Sequence, residues 1–228
     1  MKEGYRLLGD FIQPVDERNR DLRVDYLLGV SISKQFIPSI ANIVGTDLSN
    51  YKIIRTGQFA YGPVTSRNGE KISIALLRDK DCIISSSYTV FEVVNKNELD
   101  PEYLMLWFSR PEFDRYARFK SHGSVREVMD WDEMCKVELP VPPYEKQKEI
   151  VDGYKAITER IALKQKINDN LATQALTYFP TLYHTSARNW SKGNWAMLLL
   201  RQIQVVMQFK KYPSWITTLE LNVQGLAI

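Results

Sequence analysis

Residues 144–179 limit this chain more than any other stretch. No proline lies between Pro143 and Pro180, and Gly153 is the one glycine between them. Apolar or small residues recur at Ile150, Tyr154, Ile157, Ile161, Ile167, Leu171, Ala175 and Tyr178, with a break at Lys164. Spacings of three, four and seven put most of them on one face of a single helix. At about 1.5 Å per residue that helix is roughly 50 Å long. One small domain cannot cover so long a stripe, so the helix needs a helical partner in the same chain or in another copy.

Residues 1–143 have a different texture. Short β-rich runs occur at 27–33, 51–54, 58–61, 72–77 and 88–94, bounded by Gly, Asn, Asp and Ser. Leu7–Ile12 opens the region as a short element, and 16–25 is a charged loop. Asn68-Gly69 marks a tight turn. Asp100-Pro101 and Pro111 start two helices. A short turn at 130–134 and a strand at 137–141 close the region at Pro142-Pro143. The expected fold class is α+β: a mixed α/β domain with a small twisted sheet, then a long coiled-coil-forming helix. Residues 186–228 change character again, with Glu220 as their single acid and three of the five tryptophans.

Catalytic chemistry is hard to place. No two glycines are separated by one residue, so there is no dinucleotide or S-adenosylmethionine turn of that type. Gly57 and Gly62 have P-loop spacing, but Pro63-Val64 replaces the Lys and Ser/Thr such a loop needs. Val141-Pro142-Pro143-Tyr144 lacks the Asn or Asp that would accept a bond from a target amino group. His122 and His184 lie far apart, and Cys82 and Cys135 form no CxxC or Cys/His cluster. These two cysteines read as buried free thiols of a reducing compartment. The first residues hold no signal-like apolar run and no stretch is apolar enough to span a bilayer, so the expectation is cytoplasmic, with no membrane partner.

The net charge of +3 on 228 residues permits a nucleic-acid partner without demanding one. It is concentrated, however. Arg110, Arg115, Arg118, Lys120 and Arg126 against Glu112 and Asp114 leave +3 within 110–126 alone. Tyr116, Phe119, Ser121, His122 and Ser124 are interleaved with them. Lys and Arg neutralise phosphates, while forked and hydroxyl donors read base edges. A solvated helix face and loop would have the same composition. The polar loop Tyr61–Lys71 suits a groove probe and equally an ordinary hairpin connection.

The string 121–143, from Ser121-His122-Gly123-Ser124 through Asp130-Trp131-Asp132-Glu133 to Leu139-Pro140-Val141-Pro142-Pro143, continues into Glu145-Lys146-Gln147-Lys148-Glu149-Ile150-Val151. It closely resembles the end of a target recognition domain and the start of the following helix in Type I restriction-modification specificity subunits. Leu7–Ile12 and Phe59–Pro63 look like that family as well, and the resemblance covers about residues 5–185. It implies a target recognition domain at 1–143, a dimerisation and spacer helix at 144–185, and an atypical tail at 186–228. It also implies a non-catalytic subunit with no cofactor of its own. Its partners would be double-stranded DNA, methyltransferase subunits and, through them, restriction subunits.

The DNA-facing residues expected are Tyr61, Arg67, Asn68, Lys71, Lys120, His122, Ser124 and Arg126. The dimerisation residues expected are Ile150, Tyr154, Ile157, Ile161 and Leu171. Members of this family usually carry two recognition domains and two such helices, whereas this sequence has one of each. The expectation is therefore a homodimer that reads a palindromic split site. The competing reading, motivated by the tail, is a truncated scaffold that holds the methyltransferase subunits without binding DNA.

Overall fold

The computed structural model describes residues 4–39, 45–66, 68–69, 71–123 and 126–186, with side chains as far as Tyr178. Of the expected site residues, Arg67 and Ser124 lie outside the described residues, as does the tail from 187 onward. The chain forms two compact units, the first ending at Tyr154 and the second beginning at Lys155.

The first unit is built on a four-stranded antiparallel sheet. Its strands are β2 (Ile12–Val15), β6 (Phe59–Tyr61), β7 (Ile74–Leu76) and β9 (Thr89–Val93), in the order β2-β9-β6-β7. Three two-stranded ribbons surround it. β1 (Tyr5–Leu7) pairs with β10 (Glu138–Pro140), β3 (Leu28–Val30) with β4 (Phe36–Pro38), and β5 (Lys52–Ile54) with β8 (Cys82–Ile84). The expected element at Leu7–Ile12 is thus two strands separated by a 3-10 turn at Leu8–Asp10.

The sheet is covered on both faces, and the period-2 alternation of its strands sorts the residues between them. Phe59, Tyr61, Ile74, Leu76, Phe91 and Val93 enter one cluster; Ala60, Ala75 and Val90 enter the other. The first cluster is aromatic. The rings of Phe59 and Phe91 stack at 4.9 Å, and Phe108 meets both edge-on. Three helices lie near this side: α1 (Pro101–Phe108), α2 (Pro111–Lys120) and α3 (Trp131–Cys135).

Their starts have visible causes. Asp100 caps α1 by accepting from the Glu102 and Tyr103 amides at 2.7 and 3.3 Å, and Pro101 takes the first helical position, where no N–H is needed. α2 begins at Pro111, with Glu112 and Asp114 in its first turn and Arg118 and Lys120 in its last, which suits the helix dipole at both ends. Asp130 caps α3 through the Glu133 amide at 2.8 Å.

Helix α4 (Tyr144–Ser186) is the long helix foreseen in the sequence, and it continues past 179, the end of the stretch read from its apolar spacing, through Pro180 as far as Ser186. The first turns of α4 belong to the first unit. Gln147 is completely buried there, and Val151, one turn later, is 4% exposed. The Gln147 amide donates to the carbonyls of Glu98 and Pro142, each at 2.8 Å, and accepts from the Asp100 amide at 2.9 Å. A single side chain therefore ties the start of α4 to the capping residue of α1.

Candidate nucleic-acid interface

Two loops that the sequence marks separately are joined in the fold. The first leaves β6 and returns in β7. Tyr61 pairs with Ile74, and the Gly62 amide extends the ladder to the Ser73 carbonyl at 2.9 Å. A Cβ on Gly62 would sit 2.6 Å from Ser73 Oγ, so a larger residue there would turn that hydroxyl aside. The second loop leaves α2 at Lys120 and leads to α3. Its own ends pair, the His122 amide donating to Val128 and the Val128 amide to His122, at 3.1 and 2.9 Å. Gly123 turns between them at φ +135°, in a space where a Cβ would collide with the Arg126 carbonyl oxygen.

Four hydrogen bonds stitch the loops or hold the stitch in place. The Met129 amide donates to the Pro63 carbonyl at 2.9 Å, and the Thr65 amide donates to the Glu127 carbonyl at 2.9 Å. The Thr65 hydroxyl donates to Ser121 Oγ at 2.8 Å, and the Ser121 hydroxyl donates to the Ala117 carbonyl at 2.6 Å. Thr65 and Ser121 are both buried. This hydroxyl chain anchors both loops to the C-terminal turn of α2. Sequence reasoning treated Ser121 as one more polar loop residue and gave Thr65 no role. A buried pair of hydroxyls 56 residues apart has no local signature.

A second anchor sits at the far end of the hairpin loop. Asp114 Oδ1 accepts from Lys34 Nζ at 2.6 Å and from the Ile72 amide at 3.2 Å. Both side chains are about one-tenth exposed. Burial pushes the Lys34 ammonium below its ordinary value, against the opposing pull of Asp114.

The expected contact residues separate on this frame. His122, Arg126 and Lys71 are exposed on the two loops, and Asn68 is half-buried in the tight turn, its amide donating to the Thr65 carbonyl at 3.0 Å. Lys120 is half-buried, 3.6 Å from Glu133 and with its ammonium 5.9 Å from the centre of the Tyr116 ring. Tyr61 requires correction. It is completely buried in the aromatic cluster, and burial raises its phenol well above the ordinary value. The sheet is covered on both faces, so no side chain of β6 points outward and Tyr61 cannot touch a ligand from this position.

Nor do the cations of 110–126 act as one patch. The Arg110 guanidinium lies 3.2 Å over the Trp107 ring, Arg115 pairs with Glu112, and Arg118 pairs with Glu127. Phe119, between two cations, is 79% exposed, a feature that helical periodicity alone could have flagged.

The expected dimerisation residues Ile150, Tyr154, Ile157, Ile161 and Leu171 are between 42% and 62% exposed on α4. Among the described residues no cluster of three or more His, Cys, Asp or Glu could hold a metal ion, and no helix is long and apolar enough to cross a membrane.

The first unit is a mixed α/β scaffold that presents two stitched polar loops, and a long helix with an exposed apolar stripe follows them in the chain. The pattern of the family described as "Type I restriction modification DNA specificity domain" matches residues 54–173. The chain belongs to that family. Its sequence is 24% identical over 149 residues to the Type I restriction enzyme HindI specificity subunit of Haemophilus influenzae, covering 63% of this chain and 31% of that one.

Two solved structures share the fold at a TM-score of 0.52. One is the HsdS subunit from Thermoanaerobacter tengcongensis, 21% identical, with 82% of this chain and 49% of that chain covered. The other comes from work on complex assembly and conformational transition of the type I R-M system, 19% identical, with 83% and 50% covered. The chain thus spans about half the length of these structural neighbours and less than a third of the Haemophilus subunit.

Proposed function

We propose that the chain reads one half of a split DNA target with its two stitched loops, and that two copies, paired through α4, read a palindromic site. The stitching carries this reading. It makes one surface of two loops that are about 60 residues apart in sequence, and the four bonds that hold it leave His122, Arg126 and Lys71 exposed. Rigid presentation limits the entropy lost on binding, which is what a base-reading loop requires. Arg126 suits a forked contact to guanine or phosphate, and Lys71 suits a phosphate contact. Asn68, Lys120 and His122 border them, with Arg67 and Ser124 assigned to the same loops by sequence position.

In this reading recognition belongs to 1–143 and pairing and spacing to 144–185. The subunit works in the cytoplasm, docked on methyltransferase subunits and through them on restriction subunits. The exposed stripe on α4 favours self-pairing, since burying each isoleucine or leucine contributes about 1.5–3 kcal/mol.

Fluorescence anisotropy on a duplex selected by the protein tests the reading. Arg126→Ala lowers affinity by roughly 10-fold or more, and Lys71→Ala reduces the salt dependence by about one ion. Unchanged binding in both variants would remove the loops from the interface. A chain that holds methyltransferase subunits yet enriches no duplex would be the scaffold instead.

A further inference from the structure

We propose that the β3–β4 ribbon is a third reading element: Lys34 is a strut that sets its tip beside Lys71, and Ser33 and Gln35 on that tip meet base edges of the same duplex. The inference rests on the DNA reading proposed above and adds a contact that neither stitched loop supplies.

The tip is a three-residue loop, Ile32-Ser33-Lys34, closed at Ser31 and Gln35. The Ser31 amide donates to the Gln35 carbonyl at 2.9 Å, and the Lys34 amide donates to the Ser31 carbonyl at 3.1 Å. A loop of this kind ends in a left-handed residue, a place that glycine usually takes. Lys34 occupies it at φ +64°. Any side chain there costs conformational energy, and this one also gives up the hydration of its ammonium. Both costs point to a side chain kept for its reach.

What it reaches is the root of the first loop. Lys34 Nζ and the Ile72 amide share one oxygen, Asp114 Oδ1, at 2.6 and 3.2 Å. The ammonium also lies 5.5 Å from the centre of the Phe113 ring on α2. Lys71 therefore stands one residue from the foot of the strut. Burial holds the Lys34 ammonium below its ordinary value against the pull of Asp114, and the nearby Lys71 charge adds to that depression. Asp114 neutralises Lys34, so Lys71 is the cation that this junction exposes.

The tip presents recognition chemistry. Ile32, Ser33 and Gln35 are exposed, while Leu28 and Val30 of the same ribbon are buried in the cluster that holds Ala60, Ala75 and Val90. The Ser31 hydroxyl donates to the Gln35 carbonyl at 3.1 Å and lies 2.6 Å from Ser33 Oγ. Its one proton is spent, so the Ser33 hydroxyl donates to it and keeps lone pairs for an outside donor. A glutamine amide donates to and accepts from adenine at once, and a hydroxyl oxygen accepts from a base amino group. The major groove, about 12 Å wide, admits a two-stranded ribbon. With Lys71 on a phosphate, the tip enters the groove beside it.

Selection from a random duplex library by the full chain tests this with the double variant Ser33→Ala, Gln35→Ala. Its unfolding midpoint should stay at the wild-type value, because both side chains are exposed. Its affinity for the duplex that the wild type selects should fall about 10-fold, and its own motif should lose preference at one or two positions. Lys34→Gly keeps the left-handed turn and removes the strut. In that background the same two alanines should cost about threefold or less, because an untied tip has already lost most of its contact.

An affinity within about twofold of wild type, or a loss spread evenly over all sequences, would overturn the proposal. An equal loss with and without the strut would overturn it too, since Lys34 would then only pack. Arg126→Ala separates the levels. If it loses affinity while the double variant does not, the third contact alone falls. If the wild-type chain selects no duplex, alone or with methyltransferase subunits, the DNA reading falls with it.

Discussion

Replacing Gln147 with alanine should loosen the whole first unit, because this one side chain carries three hydrogen bonds at zero exposure. The substitution leaves the Glu98 and Pro142 carbonyls and the Asp100 amide without their partner, in a place water does not reach freely. At about 1 kcal/mol net per bond the loss is about 3 kcal/mol. For a unit of this size that lowers the unfolding midpoint by roughly 6–12 °C. Urea titration followed by the fluorescence of Trp107 and Trp131, both within the unit, measures it directly.

A second substitution separates hydrogen bonding from lost volume. Gln147→Glu keeps the size and the acceptor but turns a carboxylate toward two carbonyl oxygens. At neutral pH it should cost at least as much as alanine. That cost should shrink in acid, because burial raises the carboxyl pKa and the protonated form can donate one bond. A loss below about 1 kcal/mol for Gln147→Ala would refute the claim that this amide holds the start of α4 to the cap of α1.

Three further outcomes follow from the same geometry. Asp114→Ala strands the buried Lys34 ammonium and should cost about 3–5 kcal/mol by urea titration, whereas Lys34→Met, which leaves Asp114 with the Ile72 amide, should cost less. Hydrogen bonds from Gln58 and then Gln13 hold the Glu92 carboxyl below its ordinary 4.5, so its contribution is complete above that value and is lost as pH falls through the lowered one. Glu92→Gln should therefore flatten the acid limb of the stability–pH curve below about 4.5, and an unchanged limb would remove Glu92 as a cause. Gly123→Ala forces a side chain into the +135° turn at a cost of about 1–3 kcal/mol. It should weaken DNA binding and also lower the unfolding midpoint of the unit by roughly 2–12 °C; unchanged binding would show that this turn does not support the interface.

What the sequence revealed depended on whether the cause was local. The starts of α1 and α2 were legible because Asp100-Pro101 and Pro111 act within their own turns. The long helix was legible from its spacing as far as 179, and only the resemblance carried it on to 185, since a proline usually kinks or ends a helix. β4 and β8 escaped because one ends in proline and the other follows a run of charges, whereas β5, β6 and β7, equally short, were visible. Tyr61 was misplaced for a tertiary reason. It stands at the start of the polar loop in the sequence, and only the first cluster, which joins Phe91 of β9 and residues of the three helices to β6, takes its ring inside. The two loops were each visible as polar segments. Their union through Thr65 and Ser121 was not, because long-range hydroxyl pairs leave no pattern along a chain.

The central claim is that this chain selects a DNA sequence with its joined loops. Selection from a random-sequence duplex library by the purified chain, alone and with its methyltransferase partner, measures that most directly. The account predicts enrichment of one motif with two inverted halves separated by a fixed gap, and loss of that enrichment in Arg126→Ala. Failure to enrich any split motif in either setting would contradict it.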